Sequence, residues 1–233
     1  MTDYLILITT HNRPRLLKKT LRRLKSECKG KSFKVKVKVY NDGSTRPYIA
    51  AYRYLGWAFK DFEYRELRHH GKEKYYVVHQ IMYEELRKES FKYLIQIPDD
   101  MLPIEGFFEK ATQRLIESEG DLLNLIIKPS LSENWTKRNR PHMIKNGLKY
   151  WKMPWFECFI TTKKFCELME YTCPKPRKHI RCDPTRSSGV GAAMSLQFYN
   201  QGGHTRVVDN SLLTHEGRQS VMRNDKPIRE LKM

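Results

Sequence analysis

The stretch Lys92-Tyr-Leu-Ile-Gln-Ile-Pro-Asp-Asp-Met101 decides how the chain is read. Tyr93, Leu94, Ile95 and Ile97, with the strand-tolerant Gln96, make a short and nearly continuous apolar run. That is the pattern of a strand buried on both faces of a parallel sheet. Pro98 has no N–H to give a ladder, so the strand is expected to stop there. Asp99 and Asp100 follow at once. Two adjacent like charges repel and raise each other's pKa unless a cation or hydrogen-bond donors compensate. A hard divalent cation with oxygen ligands would compensate. A plain Pro-Asp-Asp turn capping the next helix would use the same residues, and the flanking stretches decide between the two.

Upstream, Tyr4-Leu-Ile-Leu-Ile8 predicts a first buried strand. Thr9-Thr-His-Asn-Arg-Pro14 then predicts a polar turn, with Asn12 or Thr10 as N-cap and Pro14 in the first helical turn. Leu16, Leu17, Thr20, Leu21 and Leu24 recur at helical spacing. Phe33-Lys-Val-Lys-Val-Lys-Val-Tyr40 alternates strictly, which predicts a strand with one wet, basic face. Asn41-Asp-Gly-Ser-Thr45 reads as a turn directly after it. A helix is expected over 48–57 and a short strand over 62–67. The basic loop 69–76 opens a helix with Val77, Val78, Ile81, Met82 and Leu86 on its apolar positions. Downstream of the Asp pair come a helix over 107–118 and a strand over 122–127. Strand and helix alternate throughout, so the fold class is α/β with a mostly parallel central sheet flanked by helices. Ligands sit at the carboxyl ends of such strands, where three polar loops fall, at 9–13, 41–45 and 98–101.

Past residue 128 the periodicity weakens. Residues 132–155 are rich in basic residues, Asn and Trp; 156–171 read as strand then helix; 173–187 form a Pro-containing basic loop. Ser187-Ser-Gly-Val-Gly191 opens a helix over 192–199, and Thr205–Val208 and Ser211–Leu213 read as short strands. The Ser-Gly stretch suits an anion at a helix N-terminus, or close packing allowed by its two glycines. It lacks the Gly-Lys-Ser/Thr ending of a Walker loop.

Composition narrows the classes further. The chain of 233 residues is long enough for one large domain with a real core. Hydrophobic residues make up 39%, too many for a disordered chain, although the mean hydropathy of −0.69 gives a very polar surface. Lys and Arg outnumber Asp and Glu by 44 to 26, a formal charge of +18. That excess favours a polyanionic partner: nucleic acid, an anionic membrane surface or a nucleotide-rich substrate. The five cysteines (Cys28, Cys158, Cys166, Cys173 and Cys182) contain no C-x-x-C pair, which removes the usual zinc and redox motifs and suggests free thiols in a reducing cytosol. No apolar run reaches membrane-spanning length, and Asp3 ahead of the first apolar stretch is unlike a signal peptide. A cytoplasmic protein without membrane insertion is expected, in the host cytoplasm if it is viral.

The three loops, taken in order, resemble those of a known family. An apolar strand leads to Thr9-Thr-His-Asn-Arg13, a second ends in Val39-Tyr-Asn-Asp-Gly-Ser44, and a later one ends in Ile97-Pro-Asp-Asp100. This set is similar to the donor half of GT-A-fold inverting glycosyltransferases, the large family-2-like group with a DxD-type metal motif. The resemblance covers residues 4–101 and extends loosely to Ser211-Leu-Leu-Thr-His215. It implies a nucleotide-sugar-binding half over 1–128, a smaller mixed acceptor-binding half of the same domain over 129–217, and a basic tail over 218–233. Thr9, His11, Arg13, Asp42, Asp99 and Arg218 would bind the nucleotide-sugar, with Asp42 accepting from base or ribose. Asp42-Gly43 would also suit a simple turn. Asp100 and His215 would hold a divalent cation, Mn²⁺ or Mg²⁺, against the diphosphate; His215 alone reads equally as an ordinary surface or core histidine. The motif departs from a strict DxD by reading Pro-Asp-Asp.

An inverting transfer needs a general base for the acceptor hydroxyl. The resemblance implies an acid in the second half, and Asp183 is the first candidate and Glu157 the second. The family's usual Glu-Asp pair is missing there, and either acid would also suit an arginine partner. Arg138, Arg140, Trp151, Arg181, Arg186 and Ser188 are the expected acceptor contacts, since cations interleaved with stacking rings suit nucleic acid, although solvated loops with core Trp residues would look similar. The reading is a metal-dependent glycosyltransferase, with a 5-hydroxymethylpyrimidine in DNA, as in sugar-modified viral genomes, as its acceptor. A surface, capsid or lipid-linked glycan is the alternative acceptor. A non-catalytic nucleic-acid-binding protein on the same scaffold is the alternative from another class.

Overall fold

The computed structural model describes residues 1–119, 121–126, 157–183 and 188–216, with the backbone of Met143–Lys145 and Leu148–Tyr150. In chain order the elements are β1 (Thr2–Thr10), α1 (Pro14–Glu27), β2 (Val35–Asp42), α2 (Ile49–Ala58), β3 (Asp61–Leu67), α3 (Tyr75–Glu85), β4 (Phe91–Pro98), β5 (Met101–Pro103) and α4 (Phe107–Glu117). They continue with β6 (Leu122–Asn124), β7 (Met143–Lys145), β8 (Leu148–Tyr150), β9 (Phe159–Thr161), α5 (Lys163–Leu168), α6 (Lys178–Arg181), α7 (Val190–Asn200), β10 (Thr205–Val207) and β11 (Leu213–His215).

Seven strands form one sheet in the order β10-β6-β9-β4-β1-β2-β3. The pairs β1–β2, β1–β4, β2–β3 and β6–β10 are parallel, and β9 runs antiparallel between β4 and β6. The sheet is thus mostly parallel, as the strand–helix alternation predicts. Alternation along β1 builds two cores, because successive side chains point to opposite faces. Tyr4, Ile6 and Ile8 pack with Leu17, Leu21 and Leu24 of α1, Ala51 and Leu55 of α2, and Phe107 and Phe108 of α4. Leu5 and Leu7 pack on the other face with Val78 and Met82 of α3, Phe165 of α5, and Met194 and Phe198 of α7. The result is a helix–sheet–helix sandwich whose carboxyl strand ends are left to loops.

Several local expectations are corrected. The basic face of β2 is not wet: Lys38 is 2% exposed. Its amine meets Glu63 at 3.1 Å, Glu85 at 3.1 Å and Glu89 at 3.0 Å, and Lys36 joins Glu63 and Glu89. Alternating lysines therefore report a buried ion network, since β3, the end of α3 and the turn after it supply the counter-charges. The strand β4 does end at Pro98, as expected, with Pro98 opposite Thr9 in the ladder to β1. Asn41 and Asp42 are the last residues of β2 rather than a turn. Neither Asn12 nor Thr10 caps α1; Arg13 does, followed by Pro14, and the Arg13 N–H is taken by the Tyr48 hydroxyl at 2.8 Å. The sixth strand stops at Asn124, and the last one lies at Leu213–His215 instead of 211–213, where it pairs antiparallel with β5.

Candidate functional site

The carboxyl ends of β1 and β4 meet in one buried polar knot. Asp99 donates its N–H to the Thr9 carbonyl at 3.1 Å, which locks the two loops together. Asp99 is fully buried and Asp100 is 5% exposed. Arg13, at the start of α1, spans both: one guanidinium nitrogen lies 2.6 Å from Asp99 Oδ1 and the other 2.5 Å from Asp100 Oδ2. Thr10 donates to Asp99 Oδ2 at 2.5 Å, and Thr20 of α1 donates to the Asp99 carbonyl at 2.8 Å. Since Thr10 gives its proton to Asp99, the Tyr48 hydroxyl donates to Thr10 Oγ1 at 2.8 Å while accepting from Arg13 N–H. On the other side of β1, Tyr75 donates to Thr9 Oγ1 at 2.8 Å.

The two carboxylates titrate in opposite directions. Burial pushes Asp99 up to about 7, with repulsion from Asp100 adding to it against the pull of Arg13 and Thr10. Burial raises Asp100 as well, but His215 and Arg13 outweigh it and hold this group below the usual carboxylate range. The β5–β11 pairing sets Met101 opposite His215 and brings His215 Nε2 to 3.3 Å from Asp100 Oδ2. The two residues expected to share a cation are therefore neighbours. Glu216 closes the same corner, giving its N–H to the Asp100 carbonyl at 2.9 Å while its carboxylate accepts from the Lys19 ammonium at 2.6 Å.

A single guanidinium between two carboxylates leaves one negative charge over when both are ionised. The carboxylate and the imidazole beside it form an O/N donor set that suits Mn²⁺, and Mg²⁺ through the oxygens. Arg13 Nε is buried without a hydrogen bond among the described residues. The residues present thus fit a divalent cation.

Asp42 organises a second corner at the end of β2. It is 3% exposed. Its Oδ1 accepts the His70 N–H at 2.7 Å and its Oδ2 the Gly71 N–H at 3.2 Å. Each oxygen keeps a second lone pair. The imidazoles of His11 and His69 stack at 4.6 Å with 17° between planes. Both Nδ1 atoms converge on the Asp42 carbonyl, at 2.7 Å and 3.0 Å. His11, Asp42 and His69 together could hold a metal ion, their ligand atoms lying within 4.8 Å of one another. Asn12 argues for the donor role instead. Its Oδ1 accepts the N–H groups of Thr45 and Arg46, so its amide nitrogen faces His11 Nε2 at 3.0 Å. Nε2 must then accept, and Nδ1 carries the proton given to Asp42. Gly43 makes the corner possible. It adopts φ +53°, and a Cβ there would lie 2.3 Å from the His69 backbone nitrogen.

The remaining predicted residues lie as follows. Glu157 is half-buried; burial raises the Tyr75 phenol most, and the charges of Glu157 and Asp99 add to it. Asp183 accepts at its carbonyl from Lys72 Nζ, just past α6. Arg181 of α6 reaches back to Glu73, at 3.4 Å from its carbonyl and 4.0 Å from its carboxylate. Ser188 is buried before α7, its Oγ 3.5 Å from the Val190 N–H. Arg138, Arg140, Trp151, Arg186 and Arg218 lie outside the described residues. Sequence reasoning missed Tyr48, Tyr75, Thr20 and His69 as parts of these corners. The first two open helices directly after polar loops, a signal available in the sequence but easily read as core packing.

No family model and no curated protein sequence matches the chain. Solved structures do. Residues 1–349 of S. aureus TarS, in complex with UDP-GlcNAc, superpose with a TM-score of 0.64 at 13% identity, over 95% of this chain and 60% of that one. The fold is GT-A-like. The mannosyltransferase PcManGT from Pyrobaculum calidifontis, in complex with GDP-Man and Mn²⁺, superposes with a TM-score of 0.60 at 15% identity, over 95% of this chain and 58% of that one. The chain thus spans about 60% of the TarS fragment and 37% of the longer TarS structure. Likeness at such low identity speaks to fold, and activity must be argued from the site.

Proposed function

We propose that this chain is a metal-dependent glycosyltransferase that moves a sugar from a nucleoside-diphosphate sugar to a hydroxyl acceptor. One observation carries the reading: on a GT-A-like sheet, Asp99, Asp100, Arg13 and His215 converge at the carboxyl end of β4, where α/β sheets bind ligands. Thr9, Arg13 and Asp99 would line the donor diphosphate, with Arg218 joining from outside the described residues. His11 and Asp42 would meet the base or ribose, and His69 is added to them because its ring stacks on His11. Asp100 and His215 would hold the divalent cation, which would supply charge neutralisation to the diphosphate leaving group.

Arg13 has a second part in this scheme. Its guanidinium already pairs with both carboxylates, so the knot is held together before donor arrives, with one negative charge left for the cation. Once a donor brings phosphate, the same fork is suited to bidentate contact with it. An acid must then take the acceptor proton on the face opposite the leaving group for transfer with inversion. Asp183 and Glu157 are the two candidates for this base.

The proposed acceptor is DNA carrying a 5-hydroxymethylpyrimidine, for which the charge of +18 supports only the polyanionic character of the partner. The test supplies purified protein with Mn²⁺ or Mg²⁺, a panel of nucleotide-sugars and duplex DNA containing 5-hydroxymethylcytosine or 5-hydroxymethyluracil. Digested nucleosides are then weighed. A hexose or pentose mass on the modified nucleoside is the expected result. Metal-dependent release of nucleoside diphosphate without labelled DNA would retain the transferase and move the acceptor to a glycan. Salt-sensitive DNA binding with no donor turnover would overturn the enzyme reading.

A further inference from the structure

The second helix buries one side and leaves the other strongly apolar. In α2, Ala51, Leu55 and Ala58 face the core. The large apolar side chains most exposed among the described residues are Met1, Ile49, Tyr52, Trp57 and Ile116, and three of these five stand on α2. Ile49 is 62% exposed and Trp57 74%. Ile49, Tyr52, Arg53 and Trp57 recur at i, i+3, i+4 and i+8, so they share one outward stripe. An ordinary surface helix shows the reverse, with polar residues on this side.

The surroundings of the stripe are basic. Helices α1 and α2 contain a single acid, Glu27, which is buried, lies 3.3 Å from Arg23 and also accepts the N–H groups of Gly106 and Phe107. Between the two helices runs a groove of about 580 Å³ lined by Lys18, Ile49, Arg53 and Tyr54, among others. The Arg22 guanidinium lies 5.7 Å from the centre of the Tyr54 ring. Aromatic and aliphatic tips thus project from a rim of cations with no exposed acid on either helix.

We infer that the α1–α2 face is a docking surface for an anionic phospholipid membrane, with Ile49, Tyr52 and Trp57 entering the headgroup layer and Lys18, Arg22 and Arg53 meeting lipid phosphates. Trp and Tyr favour the membrane–water boundary, and an apolar stripe flanked by Lys and Arg is the pattern of an interfacial helix. A negative lipid surface attracts this rim. Nucleic acid fits less well, because its phosphates and bases use cations and rings but leave the exposed aliphatic Ile49 without a partner. The inference is independent of the proposed chemistry, since no residue of the donor knot belongs to this face.

The test is cosedimentation with phosphatidylcholine vesicles, with and without phosphatidylglycerol, at low and high salt. The wild-type chain is expected to sediment only with the anionic vesicles and to be released by salt. The double substitution Ile49→Ser with Trp57→Ser is expected to weaken this by about tenfold or more. Both residues are exposed, so thermal unfolding should stay within a few degrees of the wild type. Arg53→Glu should weaken binding with the apolar tips intact. No sedimentation of the wild type, or undiminished sedimentation of the double variant, overturns the proposal. So does duplex-DNA binding lost in these variants without any vesicle binding, which would assign the face to nucleic acid.

Discussion

Arg13 and His79 show what burial demands of individual residues. Arg13 is the common counter-charge of Asp99 and Asp100. Its removal leaves two buried carboxylates together, so Arg13→Met is expected to cost about 3–5 kcal/mol. Urea unfolding measures this, and Arg13→Lys should recover only part, since a point charge cannot fork to both acids. His79 of α3 is buried, with Tyr75 at 4.9 Å and Tyr83 at 6.1 Å between ring centres. Burial lowers its pKa from 6.5 to about 4. The fold therefore favours neutral His79. The stability this gives is complete above the unfolded pKa and is lost as pH falls from 6.5 through about 4, a loss of about 3 kcal/mol. Unfolding curves between pH 7 and pH 4 should show it, and His79→Leu should flatten that limb. A limb of unchanged steepness in the variant would remove His79 from the account.

At the scale of elements, Gly43 sets the junction between β2 and the loop after β3. A Cβ there meets backbone atoms of His69, and φ is positive. Gly43→Ala should destabilise by about 2 kcal/mol or more. It should also push His69 from His11 and so weaken nucleotide binding, which calorimetric titration with UDP and GDP would measure. An unchanged nucleotide affinity would separate the His11–His69 corner from the donor site. Most elements were legible from the sequence. The apolar run in β4, the leucine spacing of α1 and the alternation of β2 each gave the right element, because each reports how many faces are buried. What the alternation could not give was the environment of Lys36 and Lys38. Their glutamate partners come from β3, from α3 and from the turn after it, and no local pattern encodes that meeting. The β5–β11 pair was missed for a similar reason: three-residue strands carry too few side chains for a period.

Across the whole molecule, the ordered loops at 9–13, 41–45 and 98–101 were readable as one ligand edge because parallel strands carry all their carboxyl ends to the same side. His215 joins this edge from about a hundred residues away, through a strand pairing the sequence does not announce. The basic charge has a partial location on the α1–α2 face, while the expected acceptor cations at 138, 140 and 186 lie outside the described residues. The claim that unites the molecule is that Asp100 serves a donor and its cation rather than the fold alone. The most direct measurement is release of nucleoside diphosphate from UDP- and GDP-sugars with Mn²⁺, for wild type and Asp100→Asn, alongside unfolding of both. Metal-dependent release that falls by about 10²-fold or more in Asp100→Asn, with the variant still folded, is the predicted result. Equal release from both proteins, or none from a folded wild type with any donor, would contradict it.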